Sequence, residues 1–206
     1  MTRAHLINPS RRLALLVAAS LLLAFQSEAQ EVVSPPQVPI STEPALTHPT
    51  TLETYLERPG ILLMKRRHPL PPVELQGGGK LRLDAVAAHE PGMRHQRMMG
   101  VRFEIEAPGL TDEERVFYVD VHEIEELVRA IGFMMNSTEA EEFAQGDDGT
   151  EISISTRDGL ELGVLFAAGG ARHFLRTTSS TFGVQRAGFE SLRVTLDAAR
   201  EHLFSQ

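Results

Sequence analysis

The chain has 206 residues, no cysteine, no tryptophan and a formal net charge of −8 at pH 7. Without cysteine there are no disulfides, no thiolate metal sites and no cysteine nucleophile. An acidic surface repels phosphate backbones, whose neutralisation supplies most nucleic-acid affinity, so no nucleic-acid partner is expected.

Arg3, Arg11 and Arg12 precede an uncharged apolar run, Leu13 to Phe25, and Ser27-Glu28-Ala29 follows. A basic stretch, a short apolar core and a small-x-small site are the parts of a cleavable secretory signal, here residues 1–29. The thirteen residues of the run, at 1.5 Å rise, cover about 20 Å of the roughly 30 Å hydrocarbon core, so no stable membrane span is expected. Cleavage after Ala29 removes three basic residues and one acidic residue, leaving a net charge of −10. A disulfide-free exported domain points to a periplasmic or secreted bacterial protein.

Residues 30–58 hold Pro35, Pro36, Pro39, Pro44 and Pro49 among Ser, Thr and Gln. They show no apolar period and read as a Pro-rich tether. A single α+β domain is expected over residues 59–206. Ile61–Met64 reads as a short strand. The basic cluster Lys65-Arg66-Arg67-His68 reads as a strand edge guarded by charge, with contact to an anionic polymer or membrane surface as its functional alternative. Pro69–Pro72 and Gly77–Gly79 are loop. Period-two alternation then marks strands at Leu81–Asp84, Val101–Glu106 and Arg115–Val121. Further alternation at Ile152–Ile154 and Leu160–Phe166 flanks Asp158-Gly159, a two-residue hairpin signal. Ala171–Thr177 and Thr181–Gln185 supply two more strands.

Two segments change to helical period. Ile124, Leu127, Ile131 and Met134 form one stripe, with Asp120 and Glu123 spaced as a capping box. Phe189, Leu192, Leu196, Ala199 and Leu203 form the other. One offset of 65 residues relates Val119 to Val184, Ile124 to Phe189, Leu127 to Leu192 and Ile131 to Leu196. The expected architecture is an antiparallel sheet with two helices on one face, consistent with a duplicated ββββα unit over about 60–136 and 150–204. This (ββββα)₂ outline, over residues 60–204, resembles the PUR and Whirly class of single-strand-binding folds. Members of that class present basic, aromatic sheet faces, whereas this chain is acidic and has two Tyr. The resemblance therefore implies a fold and not an activity. The rhythm of TEISISTRDGLELGVLF (150–166) and FYVDVHEIEELVRAI (117–131) is similar to that of uncharacterised exported bacterial proteins.

The segment from His89 to Met99 is rich in His and Met. His89, Met93, His95 and Met98 supply the soft thioether and imidazole ligands that suit Cu(I). The competing reading is a hairpin loop whose methionines fill core gaps, with Arg94 and Arg97 repelling a cation. Asp120, His122 and Glu123 resemble an acid/base group, but at this spacing they are not expected to converge, and capping occupies two of them. Glu139, Glu141 and Glu142 read as a solvated face, and Asp147-Asp148-Gly149 as a turn that falls short of a calcium loop. No Gly-x-Ser-x-Gly or His-Glu-x-x-His occurs. The expectation is an exported, non-catalytic binding domain without a cofactor, whose partner is an envelope protein or a small ligand. A copper-handling protein using residues 89–99 and a hydrolase with a dispersed site are the alternatives.

Overall fold

The period-two runs fold into strands and the two period-3.6 segments into helices, giving an α+β architecture. The computed structural model describes residues 48–110, 115–138 and 149–205, all within the unit Ser41–Gln206. The signal-peptide segment, the tether as far as residue 47, and residues 139–148 with Glu139, Glu141, Glu142, Asp147 and Asp148 lie outside the described residues.

The end of the expected tether is ordered, in correction of the 30–58 boundary. Thr51–Leu56 forms a helix, α1. Its cap is the Thr50 hydroxyl, which accepts the Glu53 N–H at 3.1 Å. Leu52 and Tyr55, one helical turn apart, are its buried residues. Two apolar positions in six residues are too few to stand out as a period beside five prolines.

The first sheet runs in the order β1 (Met64–Pro69), β3 (Lys80–His89), β4 (Met98–Glu106), β5 (Val116–Asp120), with β2 (Val73–Glu74) also on β3. Here β1 replaces the strand expected at Ile61–Met64, so the basic cluster is itself the strand. The second sheet is a meander of β6 (Thr150–Ser155), β7 (Glu161–Ala167), β8 (Gly170–Arg176) and β9 (Thr181–Val184). There are thus two sheets where one was expected. They join where Leu75 bridges Val184 and the Gln76 N–H donates to the Gly183 carbonyl at 2.8 Å. Asp158 and Gly159 do occupy the β6–β7 turn, but the connection is one residue longer than expected: the Thr156 N–H meets the Leu160 carbonyl at 2.8 Å. Gly159 takes φ +82°, the left-handed residue that closes a three-residue hairpin.

Helices α2 (Val121–Ser137) and α3 (Arg186–Phe204) follow β5 and β9. They pack on each other, and each crosses between sheets: α2 touches β4, β5, β6 and β7, and α3 touches β2, β3, β4 and β8. Both expected stripes are buried, and one continuous core takes side chains from both sheets and both helices. All eight residues of the 65-residue register are in that core. On the outer face of the first sheet α1 lies against β4 and β5. Gly100 makes this possible, because a Cβ there would press on the Val119 carbonyl oxygen and come within 2.9 Å of Leu52 Cδ2. No helix among the described residues is long and apolar enough to cross a membrane.

Candidate functional site: a basic cleft beside an edge strand

Pleating of β1 sends Arg66 and His68 to the helix side of the sheet and Lys65 and Arg67 to the other. Arg66 pairs with Ala87 and His68 with Ala85. These two small residues leave space that larger side chains would fill, and the last turn of α3 closes it with His202 and Leu203. The result is a cleft of about 360 Å³ lined by Arg66, Arg67, His68, Ala85, Ala87, His202 and Leu203. The His68 and His202 rings stack at 4.0 Å with 19° between their planes. Helix C-termini repel anions, but here Ser205 satisfies two of the last carbonyls. Its N–H takes Glu201 at 3.1 Å and its hydroxyl takes His202 at 2.8 Å.

Among the described residues, Arg58, Lys80, Arg82, Arg102, Arg176 and Arg200 form ion pairs with carboxylates. Arg102 bonds Glu104 at 2.7 Å and meets Asp84 at 3.5 Å. That hydrogen bond and charge hold the Glu104 carboxyl below its ordinary value against the opposing effect of burial. Arg176 joins Glu151 and Glu161 at 2.9 and 3.0 Å. Among the described residues, neither Lys65 nor Arg66 forms an ion pair.

A second group lies where α1 meets the β5–α2 junction and the β6–β7 turn. The Asp120 carboxylate accepts the Thr51 and Leu52 N–H groups, each at 2.8 Å, so it caps α1 while forming the expected capping box with Glu123. Glu123 takes the Asp120 N–H at 3.1 Å and the Arg157 N–H at 3.3 Å. Asp158 takes the Tyr118 N–H at 2.7 Å and hydrogen-bonds Glu53. Burial pushes the Asp158 carboxyl up to about 7, the Tyr118 N–H opposes this, and Glu53 and Glu123 add to it. Burial, then Glu57, also raises Glu53. Glu53 Oε2 is buried with no donor in reach. Two adjoining carboxyls, one with an unmet oxygen, are satisfied by sharing one proton.

The expectation that Asp120, His122 and Glu123 do not converge is corrected: their ligand atoms lie within 4.8 Å of one another. The strand-to-helix bend achieves this, because Asp120 is still extended. Backbone N–H groups already occupy the oxygens of Asp120 and Glu123, and a cation would have to displace them.

The His89–Met99 segment is split by the sheet. His89 is buried at the end of β3, its Nδ1 2.8 Å from the Glu90 carbonyl. Met98 pairs with Ala88, on the opposite face of the pleat from His89, and lines a cleft against Pro49, Tyr55 and Arg58 of the α1 region. Met93 is exposed, and His95 sits on an exposed 3₁₀ turn, Arg94–Gln96. Among the described residues, no group of three His, Asp or Glu ligands includes His89 or His95. His173 is buried against Phe189, ring centroids 5.0 Å apart. Burial, then Arg186, lowers its pKa, and its Nε2 meets no partner.

Sequence reasoning found residues 65–68 but not His202, which no local pattern connects to them. Glu53 was hidden in the supposed tether. No protein-family model matches the chain, and no curated protein matches it in sequence.

Proposed function

We propose that this chain is an exported, non-catalytic binding domain that takes an anionic ligand in the cleft between β1 and the last turn of α3. The ligand carries carboxylates or phosphates, either on an envelope protein or on a small molecule. The observation that carries this reading is the gathering of Arg66, His68 and His202 around one open cleft in a chain of net charge −8. Such a cationic focus in an acidic surface steers anions to one place. The perturbed carboxyl pair, Glu53 and Asp158, is the usual mark of acid–base catalysis. Here both carboxyls face into the seat of α1, and neither lines either cleft, which favours a structural role. Export rests on the residue 1–29 signal, and a mature chain beginning at Gln30 is the corresponding product.

The test is titration of the protein with labelled poly-L-glutamate and with polyphosphate, followed by anisotropy and by the ring resonances of His68 and His202. Arg66→Glu and His68→Glu are each expected to weaken binding about tenfold, since each sets a carboxylate against those of the ligand. Affinity unchanged in both variants removes the cleft from the function.

A further inference from the structure

The cleft adjoins a sheet edge that is free among the described residues. There β1 pairs with β3 alone, and all six of its residues are exposed. In an antiparallel pair, hydrogen-bonded and non-bonded positions alternate along each strand. The Leu70 N–H donates to the Leu83 carbonyl at 2.9 Å, continuing the register that pairs Met64 with His89. Met64, Arg66 and His68 are therefore the bonded positions. The N–H and C=O groups of Lys65 and Arg67 point away from β3 into solvent. Pro69, next in that series, has no N–H to offer and closes the open stretch.

Building on the anionic-ligand reading, we infer that β1 is the docking edge for an extended acidic peptide segment of a partner protein. That segment adds to the sheet as a further strand along Lys65–Arg67. Its carboxylates meet Arg66, His68 and His202 on one face and Lys65 and Arg67 on the other.

Charge complementarity selects this occupant. Opposite charges on neighbouring strands stabilise pairing and like charges destabilise it. An added strand here has basic neighbours on both faces, so acidic residues suit consecutive positions and not only alternate ones. The same rule disfavours a second copy, because pairing β1 with β1 sets lysine and arginine against each other. A polyanion without peptide groups matches the charge but leaves the outward N–H and C=O groups unused. In strand addition those main-chain groups supply affinity, and the flanking side-chain pockets supply specificity. The cleft floored by Ala85 and Ala87 is one such pocket.

The test uses the full chain and a fluorescein-labelled octaglutamate peptide. Its comparators are the same peptide N-methylated at every residue, which keeps the charge and has no N–H, and polyphosphate. Octaglutamate is expected to bind, Arg67→Glu to weaken it about tenfold, and full N-methylation to weaken it as much or more. Arg67→Pro is expected to bind more weakly than Arg67→Ala, since both lose one charge and only proline loses the outward N–H. Should Arg67→Pro fail to melt cooperatively, the N-methylated peptide decides alone. Equal binding of both peptides, or of polyphosphate in place of peptide, overturns strand addition and leaves the anionic cleft standing. Failure of octaglutamate and polyphosphate alike overturns both readings. Self-association abolished by Arg67→Glu overturns the inference in favour of a second copy.

Discussion

Replacing Asp158 with asparagine is expected to stabilise the protein at neutral pH, although it alters a partly buried, hydrogen-bonded side chain. The Asp158 carboxyl is raised from 3.8 to about 7 in the folded state, chiefly by burial. The folded protein therefore holds a proton that the unfolded chain releases above about pH 4. Stability tied to that proton is fully present below pH 4 and is lost as pH rises through about 7. At 1.36 kcal/mol per unit the undiscounted linkage is about 4 kcal/mol. Asp158 is only partly buried, and solvent screening reduces this to about 1–2 kcal/mol. Asparagine copies the protonated acid. Its carbonyl oxygen accepts the Tyr118 N–H, and its amide donates to the Glu53 oxygen that no donor otherwise reaches. Urea unfolding at about pH 4 and about pH 7.5 measures the effect. Asp158→Asn should gain about 1–2 kcal/mol at the higher pH and nothing at the lower, flattening the pH dependence. A variant less stable than the parent at pH 7.5, or one with the parent's slope, refutes the shared proton.

Leu52→Ala should cost about 2–5 kcal/mol, because the side chain is fully buried between α1 and the first sheet; a loss below about 0.5 kcal/mol in urea unfolding would return α1 to the tether. Ile124→Ala and Phe189→Ala, equivalent in the 65-residue register and both 0% exposed, should each lose about 2–5 kcal/mol by the same measurement. Gly100→Ala should lower the melting temperature by several degrees, at about 1–3 kcal/mol for overpacking between Val119 and Leu52. In Leu52→Ala, which vacates that space, the added cost of Gly100→Ala should shrink, and a double-mutant cycle reads the coupling.

Most of the architecture was legible because burial imposes period. β4, with Val101, Phe103 and Ile105 inward, and both helix stripes show their faces in sequence. What escaped lacks a buried face of its own or gains one only from distant partners. β1 has six exposed residues, so no alternation marks it, and the apolar Ile61–Met64 drew the start of the strand three residues early. α1 is held less by its own pattern than by Asp120, 68 and 69 residues further along. The Asp158-Gly159 turn was plain, but the second use of its carboxylate, as acceptor for Tyr118, depends on a neighbour 40 residues away. At the candidate site the basic run was visible and its purpose as an edge followed from charge. The stacking of His68 on His202 belongs to tertiary structure alone.

The seat of α1 has a kinetic consequence. Its backbone is anchored to Asp120, the His48 N–H to the Arg157 carbonyl at 2.8 Å, and Glu53 to Asp158. A chain emerging N-terminus first presents α1 before any other described element, yet every one of these anchors comes later, the last beyond residue 156. The first element made is thus among the last completed, since loops must close before distant contacts repay them. In the finished protein that order runs in reverse. α1 can lift as a local opening without breaking the core beneath the helices, and hydrogen exchange should find the Thr51 and Leu52 amides released well before those of β3 and β4.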